Sequence, residues 1–374
     1  MGLPREQAAT VHVVASPKKA RFLTLDALRG VGAIAVMAGH AGIVLNAYMP
    51  PFMYLAVDMF FVLSGFVLAH AYDGKFAGGL SVGAFLKARI ARLYPIYLIG
   101  LGLGLVGVAF SNTHALSPAR ALLSFFFGIF ALPSPPLEPL GVLFPLNGPF
   151  WSLFFEFWVA NLAFAIFWRQ LHGWLLLAVI LMSASALAFL GLRFGGLDFG
   201  WTWHQFPGGL VRVCYSFFAG VALLRFHARQ TGLPAVPSSI PSWACLVIFA
   251  SVMLLPLQGV LKGLYEVFVV LLVFPSLIYF GAGAVERRPQ IGQALGDASY
   301  AIYAIHRPLL AILLWPLGMM WTLEKHPPPV RSYLIEAALI SVIGVMAWCI
   351  NRWLVFRKGA SLPRKAEAGT MAGR

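Results

Sequence analysis

The chain has 374 residues, of which 60% are hydrophobic and only 11% charged, and its mean hydropathy is +0.82. A soluble domain of this length has no use for so much apolar surface, which leaves a polytopic membrane protein. The net charge of +14 is scattered over loops and tail; that argues against a nucleic-acid partner and fits positively charged cytoplasmic loops in a lipid bilayer.

Apolar runs of about 17–25 residues are read as spans. Ten are present, at 25–46, 53–72, 93–111, 150–168, 174–192, 209–226, 242–257, 264–282, 299–320 and 332–354. The predicted fold is all-α, a polytopic bundle of ten transmembrane helices. A cytoplasmic tail over 1–22 precedes a membrane domain over 23–356, and a second cytoplasmic tail follows over 357–374. The run 121–132 is too short to cross and leads into Pro133, Pro135, Pro136 and Pro139, so an interfacial or re-entrant helix is expected there. With the N-terminus inside, 19 of the 27 Lys and Arg residues fall in cytoplasmic segments and five in outer ones. Arg225 and Arg352, at the cytoplasmic ends of their runs, are counted as cytoplasmic, and the other three, Arg29, Arg212 and Arg307, lie deeper within spans. An eleventh span at 121–132 would reverse every later loop and spoil this bias.

The first span carries Arg29 and His40, a poor cleavable leader, so it is expected to be retained. Cys214, Cys245 and Cys349 have neither paired nor metal-type spacing, and neither a disulfide framework nor a metal site is expected. Trp151, Trp174, Trp201, Trp203, Trp243 and Trp321 sit near span ends and read as interfacial anchors. No soluble domain is expected after the last span.

Buried ionisable groups mark chemistry or transport. Arg29 and His40 share one helical face, roughly 16 Å apart along the axis. Counting inward from span ends puts His40, Asp58 and Glu156 at one level, roughly 8–9 Å below the outer boundary. An imidazole there can take a proton from a hydroxyl and return it to a leaving group, with a carboxylate on its other nitrogen fixing the tautomer. The alternative is a structural His–carboxylate pair that locks helices together. On the cytoplasmic side, Arg89 and Arg92 lie one turn apart where the third span begins, a spacing suited to gripping phosphates; ordinary flanking charge is the other reading. Arg29 lies between that pair and His40, so the layout suggests a phosphorylated molecule threaded from inside to react with one from outside. Arg212 is expected to snorkel, an anionic-acceptor role being the alternative. Ser64 lies on a helix rather than a strained turn and reads as packing, not as a nucleophile.

Five segments together resemble the acyltransferase-3 family of bacterial integral-membrane acyltransferases. They are Leu25-Asp26 through Arg29-Gly30 to His40; Ala56-Val57-Asp58 through Ser64-Gly65-Phe66; Arg89 through Arg92 to Pro95; Trp151-Ser152-Leu153 to Glu156; and Ser299-Tyr300 through Tyr303 to His306 and Pro308. Where many members carry a further carboxylate and a Gln after that Glu, this chain has Phe157 and Trp158, so Glu156 is expected to act alone. The resemblance implies transfer of an acyl group, often acetyl, from cytoplasmic acyl-coenzyme A to a hydroxyl of a glycan, lipid or other acceptor, with no permanently bound cofactor. It implies a bacterial inner membrane, Arg29 and His40 as essential groups, Asp58 and Glu156 in support, and Arg89 and Arg92 at the coenzyme entrance. His306, seven residues into its span, should then lie well below His40, where it lines the coenzyme channel or binds a backbone carbonyl. The rival reading is a proton-coupled transporter that uses His40, Asp58 and Glu156 as a relay.

Overall fold

The computed structural model describes residues 21–45, 47, 49–109, 116–136, 141–231, 240–285, 288–315 and 330–360. Most of both predicted tails, Pro139 and Trp321 lie outside these residues. The described residues contain no β-strand, only two isolated bridges, Val142 with Thr202 and Pro241 with Val285.

Among the described residues eleven helices follow in order: α1 (Leu23–Leu45), α2 (Ala56–Ala77, led by a 3₁₀ turn Met53–Leu55), α3 (Val82–Ala109), α4 (Pro118–Ile129), α5 (Phe150–Ile166), α6 (Trp174–Phe194), α7 (Phe206–Thr231), α8 (Ser242–Leu254), α9 (Gly259–Gly283), α10 (Pro289–Leu314) and α11 (Val330–Ala360). Seven of them, α1, α2, α3, α6, α7, α9 and α11, are long and apolar enough to cross a membrane. The short apolar helices α5 and α8, together with α10, overlie the remaining three apolar runs. This is the architecture of a multi-pass membrane protein. The run 121–132 forms the short α4, capped by Ser117 with Pro118 in its first turn, a good start because proline needs no hydrogen-bond acceptor there.

Two helices begin well before their apolar runs. α3 starts at Val82 and α10 at Pro289, against 93 and 299 expected. Hydropathy marks where a helix becomes apolar, whereas Lys, Arg and Gln are good helix formers and let the backbone coil begin earlier.

α1 packs most extensively on α10, and α2 on α7. In lipid such contacts rely on close fit rather than on a hydrophobic drive. At the α2–α7 crossing, a Cβ on Gly65 would overlap the Phe217 carbonyl, and one on Gly220 would overlap the Val62 carbonyl. The reciprocal glycines let the two backbones touch. Gly65→Val is therefore expected to cost about 1–3 kcal/mol through overpacking, read as a lower thermal midpoint in detergent. An unchanged midpoint would mean that the helices part there without penalty.

α1 and α10 run parallel: Arg29 meets Ser299 and His40 meets His306, at sequence offsets of 270 and 266. Pro308 lies inside α10. It has no N–H to give the Ala304 carbonyl four residues back, and the buried Asn147 side chain donates to that oxygen instead, at 2.8 Å. The loop before α5 is thereby tied to the turn of α10 that carries Tyr303 and His306.

Candidate active site

A cavity of about 760 Å³ opens at one end of the bundle, within the range of pockets that hold cofactor-sized ligands. Its mouth is built by the starts of α1, α3 and α10 and the ends of α2 and α11, through Arg21, Asp26, Arg92, Asp297, Tyr72 and Val355. Its inner wall is aromatic and apolar, with Ala33, Val57, Phe60, Phe61 and Tyr303 beside Ser64 and Ser152.

The arginines are organised by carboxylates. Asp26 accepts from Arg21 and, at 2.8 Å, from Arg29, and Arg21 reaches Asp297 at 2.7 Å. Arg29 also donates to Ser299 Oγ at 2.9 Å, so α1 and α10 share this ladder. Deeper in, Arg89 is only 7% exposed. Its Nη2 donates to Glu156 at 3.2 Å, and Ser64 donates to the same carboxylate oxygen at 2.6 Å. Arg89 Nε is buried and has no hydrogen-bond partner among the described residues. Glu156 lies in a π-helical stretch, Phe155–Asn161. Such an extra residue in a helical turn rotates the side chains that follow it and recurs at functional sites.

The two histidines form a second group. His306 is fully buried, and its Nδ1 lies 3.0 Å from the Ile302 carbonyl and 2.9 Å from that of Tyr303. Carbonyl oxygens only accept, so Nδ1 carries the hydrogen and Nε2 holds a lone pair. That Nε2 lies 3.1 Å from Nδ1 of His40, which is also 3.0 Å from the Val36 carbonyl. His40 Nδ1 therefore carries its own hydrogen, shared between two acceptors, and the neutral ring keeps an unprotonated Nε2. No described residue is hydrogen-bonded to that nitrogen. Neither histidine lines the cavity, but Tyr303 lines it on one side and lies against His306 on the other, ring centroids 6.0 Å apart.

Arg29, Arg89 and Arg92 converge on the cavity as the sequence suggested, but the single polar level does not form. Glu156, expected beside His40, instead joins Arg89 and Ser64. Counting depth from run edges fails here because α3 starts early and carries Arg89 into the bundle. Asp58, also expected at His40, is fully buried against Arg212: Nη2–Oδ2 is 2.6 Å and Nε–Oδ1 is 3.1 Å. Residues two apart on a helix point roughly 200° apart, so Phe60 faces Tyr303 while Asp58 faces α7. Arg212 does not snorkel; it is 1% exposed, donates to the Phe199 and Tyr54 carbonyls, and lies 5.2 Å from the Trp151 ring. Trp151 is accordingly buried rather than an interfacial anchor, whereas Trp174 and Trp243 are exposed. His306, expected well below His40, touches it, because α10 begins at Pro289 and runs in register with α1. With these pairings no direct hydrogen-bonded relay links His40, Asp58 and Glu156.

Sequence reasoning gave Tyr303 and Ser152 no role in the site; their oxygens lie 2.6 Å apart and bridge α10 to α5. It also missed Glu266 on α9, which accepts from Tyr54 at 2.5 Å and from the Leu197 N–H at 2.5 Å. A carboxylate in an apolar run was the available signal for Glu266.

Arginines gathered round a cavity inside a helical bundle, with an imidazole pair beyond its aromatic end, are groups suited to holding an anionic substrate and moving a proton. Residues 22–354 match the acyltransferase-3 family, described as an acyltransferase domain. The chain belongs to this family and is a membrane acyltransferase. It is similar to the exopolysaccharide production protein ExoZ of Rhizobium meliloti, 26% identical over 85% of this chain and 93% of that protein. Protein 2 in the picA locus of Rhizobium radiobacter is 41% identical over 39% of this chain and 81% of its own length. The acyltransferase MdmB of Streptomyces mycarofaciens is 29% identical over 41% of each chain. No solved structure matches significantly.

Proposed function

We propose that the protein moves a short acyl group, acetyl in the first instance, from cytoplasmic acyl-coenzyme A to a hydroxyl of an acceptor, with His40 as general base. The observation that carries this reading is the arginine-lined cavity at the end of the bundle where α1 begins and α11 ends. The proposed setting is a bacterial inner membrane crossed by ten spans, with both tails cytoplasmic and the membrane domain over 23–356, so that the cavity mouth faces the cytoplasm. The coenzyme phosphates lie against Arg29, Arg89 and Arg92, whose planar donors suit phosphate oxygens. The thioester arm points toward Phe60 and Tyr303, and the closeness of these rings favours a short acyl chain.

The acceptor approaches His40 from the opposite end. A carbohydrate hydroxyl is the favoured class, because the relative that matches over most of both chains is described as an exopolysaccharide production protein; a lipid or small-molecule hydroxyl serves the same chemistry. His40 Nε2 takes the hydroxyl proton as oxygen attacks the thioester carbon, and returns it to the departing thiolate.

Donor recognition is tested through Arg89. A charge-assisted hydrogen bond contributes roughly 1.5–3 kcal/mol, so Arg89→Ala should raise the KM for acetyl-coenzyme A about 10-fold or more. The KM for acetyl-pantetheine, which lacks the nucleotide phosphates, should change far less. Equal changes for the two donors, or none, would remove Arg89 from phosphate binding.

A further inference from the structure

We infer that His306 is the positioning partner of His40. It accepts the Nδ1 hydrogen of His40 and shares the positive charge that forms when His40 takes a proton from the acceptor. The inference rests on the reading of His40 as general base and assigns to a second helix the role that a carboxylate plays in hydrolase triads.

Three observations carry it. The Ile302 and Tyr303 carbonyls hold the hydrogen of His306 on Nδ1, so the only lone pair the neutral ring can offer is on Nε2. That lone pair lies 3.1 Å from His40 Nδ1. The two carboxylates that could have served instead are engaged elsewhere, Asp58 by Arg212 and Glu156 by Arg89 and Ser64. A buried imidazole with both nitrogens engaged, 3.1 Å from a second imidazole, is more specific than packing requires.

The proton balance is complete. His40 Nε2 takes the acceptor O–H proton, the oxygen forms the new C–O bond, and the thioester C–S bond breaks. The proton then passes from Nε2 to the coenzyme thiolate, giving ester and free thiol. While His40 is cationic, its Nδ1–H points at His306 Nε2 and the extra proton is shared along that bond. If it crosses, His306 becomes the cation, with its Nδ1–H still held by two carbonyl oxygens. Return of the proton restores both neutral rings.

Two conservative substitutions separate this role from bracing. In His306→Gln the amide oxygen reaches the position of Nε2 and can still accept from His40, but contact with the carbonyls is lost. In His306→Asn the amide reaches only the position of Nδ1; the carbonyls keep their donor and His40 loses its acceptor. Turnover of acetyl-coenzyme A should stay within about 10-fold of wild type in the Gln variant, and kcat should fall about 100-fold in the Asn variant, the upper end for loss of an orienting partner. KM for the donor and the thermal midpoint should be unchanged in the Asn variant. A bracing role predicts the reverse order, with Asn the milder change, and that order would overturn the inference; so would an Asn variant at wild-type kcat. Loss of turnover in His40→Ala alongside an active His306→Asn would sink only this inference, whereas an active His40→Ala would sink the reading beneath it.

Discussion

His40→Ala should abolish acyl transfer while leaving an inserted, folded protein. The expected loss is at least the roughly 10²–10⁴-fold that general acid–base catalysis supplies, and larger if the imidazole is also needed to collapse the intermediate. Folding should survive because the side chain makes two polar contacts, to Val36 and His306. The Val36 carbonyl also lies within α1, where a backbone N–H serves it. Release of free coenzyme A thiol from acetyl-coenzyme A is the measurement, in membranes with and without polysaccharide or lipid-linked sugar, at matched expression. Acceptor-dependent release that is absent in the variant supports the base. Release equal in both proteins would mean that the free Nε2 is not used.

The second large effect concerns stability. Arg212→Ala should destabilise the bundle by about 3–5 kcal/mol, because removing one member of a buried ion pair leaves the other charge uncompensated. Here it also strips the Phe199 and Tyr54 carbonyls of a donor. The double variant Asp58→Leu with Arg212→Met should recover much of that loss, since apolar groups of similar volume often replace a buried pair at little cost. Thermal unfolding in detergent of the wild type, Asp58→Leu, Arg212→Met and the double variant gives the coupling directly. If Arg212→Ala unfolds at the wild-type temperature but has lost turnover, the pair belongs to the chemistry and not to the scaffold.

The bundle was largely legible in the sequence because spans are long and nearly uniform in hydropathy. Each of the ten apolar runs overlies a helix, and the short run became the short α4. The arginines of the cavity were legible too, since Arg89 and Arg92 lie one turn apart beside the run and share a face. What failed was depth and rotation. Counting from run edges assumes that helices begin where apolar residues do, and α3 and α10 begin far earlier, which misplaced Glu156 relative to Arg89 and His306 relative to His40. Rotation about each axis is fixed by partners, as when Gly65 and Gly220 bring α2 and α7 together and turn Asp58 toward Arg212. No local pattern in α2 states which neighbour it will meet.

The parallel pairing of α1 with α10 also sets an order of assembly. Arg29 and His40 belong to α1, whereas Ser299, Gly296 and His306 are some 270 residues later in the chain. At about 5–20 residues per second of synthesis, α1 waits roughly 13–50 s before its partners on α10 arrive. Until later helices arrive, Arg29 is paired within its own segment through Asp26, which also holds Arg21. A nascent chain stopped short of α10 therefore holds His40 without the His306 ring that meets it in the finished bundle.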